Sequence, residues 1–129
     1  AVWIGGDPGF GQRGRDLGIR VTGWLPREDA AVELGRADIY VHTAQWEGFP
    51  VAILEVLSLG IPVIARRIPA FQNIDIPVVD SPADSANAIA DLATPADRAR
   101  AWERSVIALR EFNVDNQRRG LMRVYEGTG

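Results

Sequence analysis

Five short runs rich in Val and Ile decide what this chain can fold into: Val2 to Ile4, Ile19 to Val21, Ile39 to Val41, Val63 to Ala65 and Ile76 to Val79. Apolar residues fill them almost continuously, and strands that are buried on both faces of a parallel sheet read this way. Helical patterns lie between the runs, so the connections are expected to be right-handed crossovers. The sequence therefore predicts the α/β class: a Rossmann-like, doubly wound parallel sheet followed by C-terminal helices.

The helix signals are local. Pro26 opens a segment to Arg36 that places Ala30, Ala31 and Leu34 on one face. Pro50 to Leu59 lies between a Pro at its start and Gly60 at its end, the usual asymmetry of a short helix. Ser81-Pro82-Ala83-Asp84 and Thr94-Pro95-Ala96-Asp97 share a layout of hydroxyl cap, Pro and acid. The second opens a helix with Trp102, Val106, Leu109 and Phe112 on one stripe. Asn113 caps a last helix, with Val114, Leu121, Val124 and Tyr125 expected inward. Gly9, Gly11, Gly14 and Gly18 crowd one stretch, which predicts a loop or a single short turn there. Asp7 reads as a turn residue or a helix cap.

Composition removes several chemistries. All 14 basic residues are Arg, so lysine Schiff-base or general-base chemistry is excluded. There is no Cys, hence no disulfide, thiolate nucleophile or cysteine metal site. His42 is the only histidine, which rules out a multi-histidine metal centre within the chain. The net charge is −3 and no basic run occurs, so nucleic acid is not an expected partner. No apolar stretch reaches membrane-spanning length. The lack of Cys suits a cytoplasmic protein. The 129 residues fit one domain. Ala1-Val2-Trp3-Ile4 enters an apolar strand with no polar lead-in, so the chain is expected to be a fragment of a longer protein.

Chemistry concentrates between Glu47 and Glu55. This segment follows the Ile39 to Val41 strand and opens the helix at Pro50, so it sits at the C-terminal edge of a parallel sheet, where open α/β folds bind ligands. The first-turn N–H groups of Val51 and Ala52 have no intrahelical partner and, with the helix dipole, form an anion site suited to a diphosphate. Gly48 lets the backbone approach a ligand. Glu55 lies roughly 7–8 Å along the helix from Pro50. A carboxylate there would repel a diphosphate but can accept from two neighbouring hydroxyls, as on a ribose. Glu47 lies before the helix, where it can accept from sugar hydroxyls or face positive charge developing on a sugar carbon.

Glu47 and Glu55 enclose seven residues, and Glu47-Gly48-Phe49-Pro50 opens the run. The segment resembles the E-x7-E motif of retaining GT-B glycosyltransferases, closest to glycosyltransferase family 4. Gly5-Gly6-Asp7-Pro8 resembles that family's glycine turn, and Val21-Thr22-Gly23-Trp24-Leu25-Pro26 its next strand and turn. Arg36 to Val41 and Leu57 to Ala65 are similar to its approach to and exit from the motif. The resemblance implies that residues 1–129 are a single nucleotide-sugar-binding domain, the C-terminal half of a GT-B fold. It implies that the N-terminal acceptor domain and this domain's own first strand, with the Arg and Lys that meet the diphosphate, lie elsewhere. The fragment is then expected to be inactive alone.

The family's residue roles carry over as expectations. Glu47 would be catalytic and hold the donor sugar. Phe49, Pro50 and Val51 would line sugar and phosphate through their backbone, Glu55 would bind the ribose, and Gly5 and Gly6 would approach the donor. The Trp24–Leu25 region would offer a base pocket. The substrate would be a UDP- or GDP-sugar, with no cofactor and no metal. The acceptor, a glycan, lipid or small molecule, would be bound through the missing N-terminal domain. The full protein would transfer a hexose, in polysaccharide or glycoconjugate synthesis.

Other readings stand beside these. The same residues fit a Rossmann-like binding or interaction module with no transfer activity. A sugar-nucleotide epimerase of the same architecture is disfavoured by the single His. His42 reads as a strand-end histidine with hydrogen-bonded ring nitrogens rather than as a general base. Arg66 and Arg67 read as solvated, and Trp46 and Trp102 as packing residues. Arg118, Arg119 and Arg123 form a solvated face, with a domain contact or a peripheral contact to an acidic membrane as the alternatives.

Overall fold

In the computed structural model, residues 1–6, 8–72 and 74–127 are described. Asp7, expected to turn or cap, lies outside them. Strands β1 (Val2–Trp3), β2 (Arg20–Val21), β3 (Tyr40–His42), β4 (Val63–Arg66) and β5 (Val78–Val79) fall on the five apolar runs. β1 pairs with β2, and β3-β4-β5 form a second sheet with β4 in the middle. Every strand pair is parallel, so the α/β, Rossmann-like class holds. The chain divides into two compact units, Ala1–Ala37 and Asp38–Gly129.

The first unit carries β1, β2 and helices α1 (Pro8–Asp16) and α2 (Arg27–Leu34). The α1 helix corrects the expectation of a loop or short turn. Glycine costs about 1 kcal/mol in a helix interior, yet here its missing side chain is used. A Cβ on Gly14 would lie 2.3 Å from Val21 Cγ2 and 3.0 Å from the Ile19 carbonyl oxygen, so only glycine lets α1 reach β2. Gly18, at φ +69°, then takes the left-handed conformation just past the helix. Trp3 stacks obliquely on Phe10, with ring centroids 4.9 Å apart. On α2, Ala30 and Leu34 are half-buried whereas Ala31 is exposed. Glu33 pairs with Arg20 and Arg36, and the hydrogen bond from Arg20 foremost holds its carboxyl below the ordinary value. Replacing Gly14 with alanine should cost about 1–3 kcal/mol through overpacking, which outweighs the helix propensity gained. A urea titration followed by far-ultraviolet dichroism would show the loss.

The second unit is built around β4. Val63, Ile64 and Ala65 are fully buried there, as a central parallel strand requires. Helix α3 (Val51–Ser58) crosses from β3 to β4 and buries Ile53, Val56 and Leu57. A short 3-10 turn at Pro69–Phe71 replaces a helix between β4 and β5 and buries Phe71. Helices α4 (Pro82–Asp91) and α5 (Pro95–Ser105) follow. Ile64, Leu92 and Ala101 form one buried cluster, edged by Ile39, Val79 and Ala88. Both predicted caps are made: the Ser81 hydroxyl accepts from the Asp84 N–H, and that of Thr94 from the Asp97 N–H. The Thr94 hydroxyl also donates to the Asp97 carboxylate and, ahead of the charge of Arg100, keeps that carboxyl below its usual range. Any stability from this shift is full above the ordinary carboxylate value and is lost as pH falls through the depressed folded one. Thr94→Ala should lower stability by about 1 kcal/mol, read as a shift in the urea midpoint.

Two helix expectations and one packing expectation need correction. The stripe through Trp102 to Phe112 does not lie on one helix, because α5 ends at Ser105 and a separate α6 covers Ala108–Glu111. Ser105 is buried and its hydroxyl donates back to the Ala101 carbonyl, a bond that tends to bend helices. Ala101, Ser105 and Ala108 are the buried positions. Trp102 is half-buried and donates its indole N–H to the Leu57 carbonyl at 2.7 Å, tying α5 to the end of α3. The last helix, α7 (Val114–Tyr125), has the predicted Asn113 cap, but Val114, Leu121, Val124 and Tyr125 are exposed, not inward. An apolar repeat shows that a helix has an apolar side, not that this chain covers it. Trp46 is 80% exposed, so it is not a packing residue either: it sits in an open loop between β3 and α3.

Candidate donor-binding site

The Glu47–Glu55 segment leaves the C-terminal end of β3 and enters α3, as the sequence predicted. Pro50 is buried at the helix start, with φ −80° and ψ 55°. These angles describe an inverse γ-turn, closed by the Val51 N–H donating to the Phe49 carbonyl at 2.8 Å. This corrects one expectation: the Val51 N–H is committed to the turn and is not a free donor. The Leu54 N–H reaches the Pro50 carbonyl. The N–H groups of Ala52 and Ile53 donate to no backbone oxygen among the described residues. The donor end of α3 is thus shifted one residue along the chain. No side chain caps it.

Side chains fix the rest of the loop. Phe49 packs edge-on against Phe112 of the second unit, centroids 5.5 Å apart. Gly48 has an ordinary negative φ, and a Cβ there would meet only the Trp46 ring at 3.8 Å. What glycine supplies at this point is open space beside the backbone. Glu55 is half-buried on α3.

Glu47 does not stand alone. Its carboxylate lies 3.1 Å from His42 Nε2, at the end of β3. The Tyr40 hydroxyl lies 3.1 Å from the other ring nitrogen, Nδ1. Tyr40 and His42 are two residues apart on a strand, so their side chains share a face. The His42 ring also meets the edge of Phe71, with centroids 5.5 Å apart. His42 is only 7% exposed. Burial foremost, and then the Glu47 charge, push the Tyr40 phenol above its ordinary value. The sequence reading of His42 as a strand-end histidine with hydrogen-bonded ring nitrogens holds for Nδ1 and not for Nε2, and it does not single out Tyr40. The i, i+2 spacing across β3 was the signal that could have found it.

The remaining expected residues lie in the first unit. Gly5 and Gly6 have φ +98° and +87°, a pair of left-handed conformations that side chains rarely adopt. Gly5 donates to the Gly23 carbonyl and to the Thr22 hydroxyl, which ties the turn to the end of β2. Leu25 is half-buried next to Trp24, which is 89% exposed. Back in the second unit, Arg67 pairs with Asp80 at 2.9 Å, both exposed, on the surface as read from the sequence. No three His, Asp or Glu side chains that could hold a metal ion gather among the described residues. No helix among them is long and apolar enough to cross a membrane.

Parallel strands with helices between them define the Rossmann-like α/β class. The family described as glycosyl transferases group 1 matches residues 2–95, and the chain belongs to that family. It is similar to an O-antigen chain mannosyltransferase B of Escherichia coli, 29% identical over 108 residues, which are 79% of this chain and 28% of that protein. A phosphatidyl-myo-inositol mannosyltransferase of Propionibacterium freudenreichii subsp. shermanii is 37% identical over 59 residues, 44% of this chain and 15% of that one. The crystal structure of the GtfA/B complex superposes with a TM-score of 0.75 at 16% identity, covering 98% of this chain and 29% of that one. The chain thus spans under a third of the length of each of these proteins.

Proposed function

We propose that this chain binds a nucleoside-diphosphate sugar and supplies the donor half of a retaining hexosyltransferase. The supporting observation is the order of groups along the Glu47–Glu55 segment. An acid precedes α3, backbone N–H groups with no backbone acceptor among the described residues lie at its first turn, and a second acid sits one turn further in. The diphosphate meets the N–H groups of Ala52 and Ile53, with the helix dipole behind them. Glu55 accepts from the two ribose hydroxyls and Glu47 from hydroxyls of the sugar. Gly48, Phe49, Pro50 and Val51 border the donor at the start of α3.

Transfer proceeds with retention, the departing phosphate helping the acceptor hydroxyl from the same face, and no metal takes part. The acceptor is a glycan or lipid held by another part of the enzyme. The names of the two mannosyltransferase relatives support mannose as the sugar, and synthesis of a cell-envelope glycoconjugate, on the cytoplasmic side, as the setting. Isothermal titration of the protein with GDP-mannose and with UDP-glucose tests the reading. Saturable binding of either is expected, tighter for GDP-mannose. Heat of dilution alone with both would remove the donor proposal.

A further inference from the structure

Three observations meet at His42. Its Nδ1 lies 3.1 Å from the Tyr40 hydroxyl. Its Nε2 is buried and lies 3.1 Å from a Glu47 oxygen. Yet Nε2 makes no aligned hydrogen bond: the carboxylate is close enough to pair but off the N–H direction. Buried polar atoms without an aligned partner are uncommon, and each one asks for an explanation. Here the Glu47 carboxylate, 27% exposed at its side chain, lies within pairing distance of Nε2.

We propose that His42 is a positioning residue for Glu47, with Tyr40 fixing its tautomer, so that the Tyr40–His42–Glu47 chain holds the carboxylate where it meets the sugar of the donor. The Tyr40 hydroxyl donates to Nδ1, which leaves the single imidazole proton on Nε2, aimed at Glu47. The rigid end of the chain is β3, and the adjustable end is the carboxylate. When sugar hydroxyls arrive, the carboxylate turns to accept from them and from Nε2 together, which completes the bond left unaligned in the free protein. His42 touches no substrate; it acts through Glu47. The proposal rests on the donor reading given above, but part of its test needs no donor.

Nitrogen-15 NMR of histidine-labelled protein sees one imidazole, because the chain has one histidine. Near neutral pH the expected spectrum has a protonated Nε2 and an unprotonated Nδ1, and Tyr40→Phe and Glu47→Gln should each move it toward a tautomer mixture. A proton on Nδ1, or a spectrum that neither substitution moves, overturns the proposal. Calorimetric titration with GDP and GDP-mannose then separates the sugar end from the nucleotide. His42→Ala should weaken GDP-mannose roughly fivefold and leave GDP within about twofold, and His42→Gln, which restores an N–H, should recover most of the loss. Equal weakening of both ligands, or of neither, would make His42 merely structural and overturns the positioning role. Wild-type protein that binds neither ligand while showing the expected tautomer removes the donor reading and leaves the tie intact. Normal binding with the wrong tautomer removes the tie alone.

Discussion

Glu55→Ala is expected to weaken GDP-mannose binding by about 10–100-fold, read by titration calorimetry. A carboxylate that accepts from two vicinal hydroxyls makes two charge-assisted hydrogen bonds, each contributing about 1.5–3 kcal/mol when well aligned, and water recovers part of that once the acid is gone. The loss should appear equally with GDP, because the ribose belongs to both ligands, and should be absent with mannose 1-phosphate. Glu55→Gln should fall between wild type and alanine, since its amide oxygen can still accept. Glu47→Ala should behave in the opposite way, sparing GDP and weakening the sugar nucleotide. The two acids thus differ in which half of the donor they report.

The second large effect is on stability. Leu57→Ala should lower the unfolding free energy of the second unit by about 2–5 kcal/mol, the range for emptying a packed leucine site. Leu57 is fully buried on α3, and its carbonyl accepts the Trp102 indole. The substitution keeps that hydrogen bond and removes only side-chain contacts, so any deficit measures packing between α3 and its surroundings. A urea titration followed by tryptophan fluorescence would show the midpoint fall. An unchanged midpoint would mean that α3 is not anchored as described.

Much of this was legible in the sequence because it depends on local period and local chemistry. The five strand runs announced themselves by continuous Val and Ile, and Ser81, Thr94 and Asn113 by hydroxyl or amide caps before helical stretches. The motif's place at the end of β3 followed from that order. What could not be read depended on tertiary contact. Gly14 looks like a helix breaker by propensity and is a packing glycine once Val21 lies against it. The end of α5 at Ser105, a buried residue whose hydroxyl donates to the Ala101 carbonyl, is not visible in an apolar stripe that runs on to Phe112. The periodicity of α7 identifies its apolar side but carries no information about what covers it, and that side is exposed. At the site, the acids and the helix start were visible, but the turn at Pro50 that takes up the Val51 N–H depends on its ψ angle, which no residue identity fixes.

The Tyr40–His42 pair shows how a strand can add to a loop-borne site. Loops carry many functional residues and are held by the rigid elements beneath them. Glu47 sits on such a loop, while the imidazole beside it belongs to β3, whose backbone is paired in register with β4 from Tyr40↔Val63 to His42↔Ala65. In the proposed tie the carboxylate is referenced to the sheet and not only to its own loop.

The most direct measurement of the central claim is a crystal structure of the protein soaked with GDP-mannose. The account predicts the ribose hydroxyls within hydrogen-bond distance of Glu55, a phosphate at the N–H groups of Ala52 and Ile53, and the sugar against Glu47. A nucleotide bound elsewhere on the surface, with Glu47 and Glu55 both clear of it, would contradict the account.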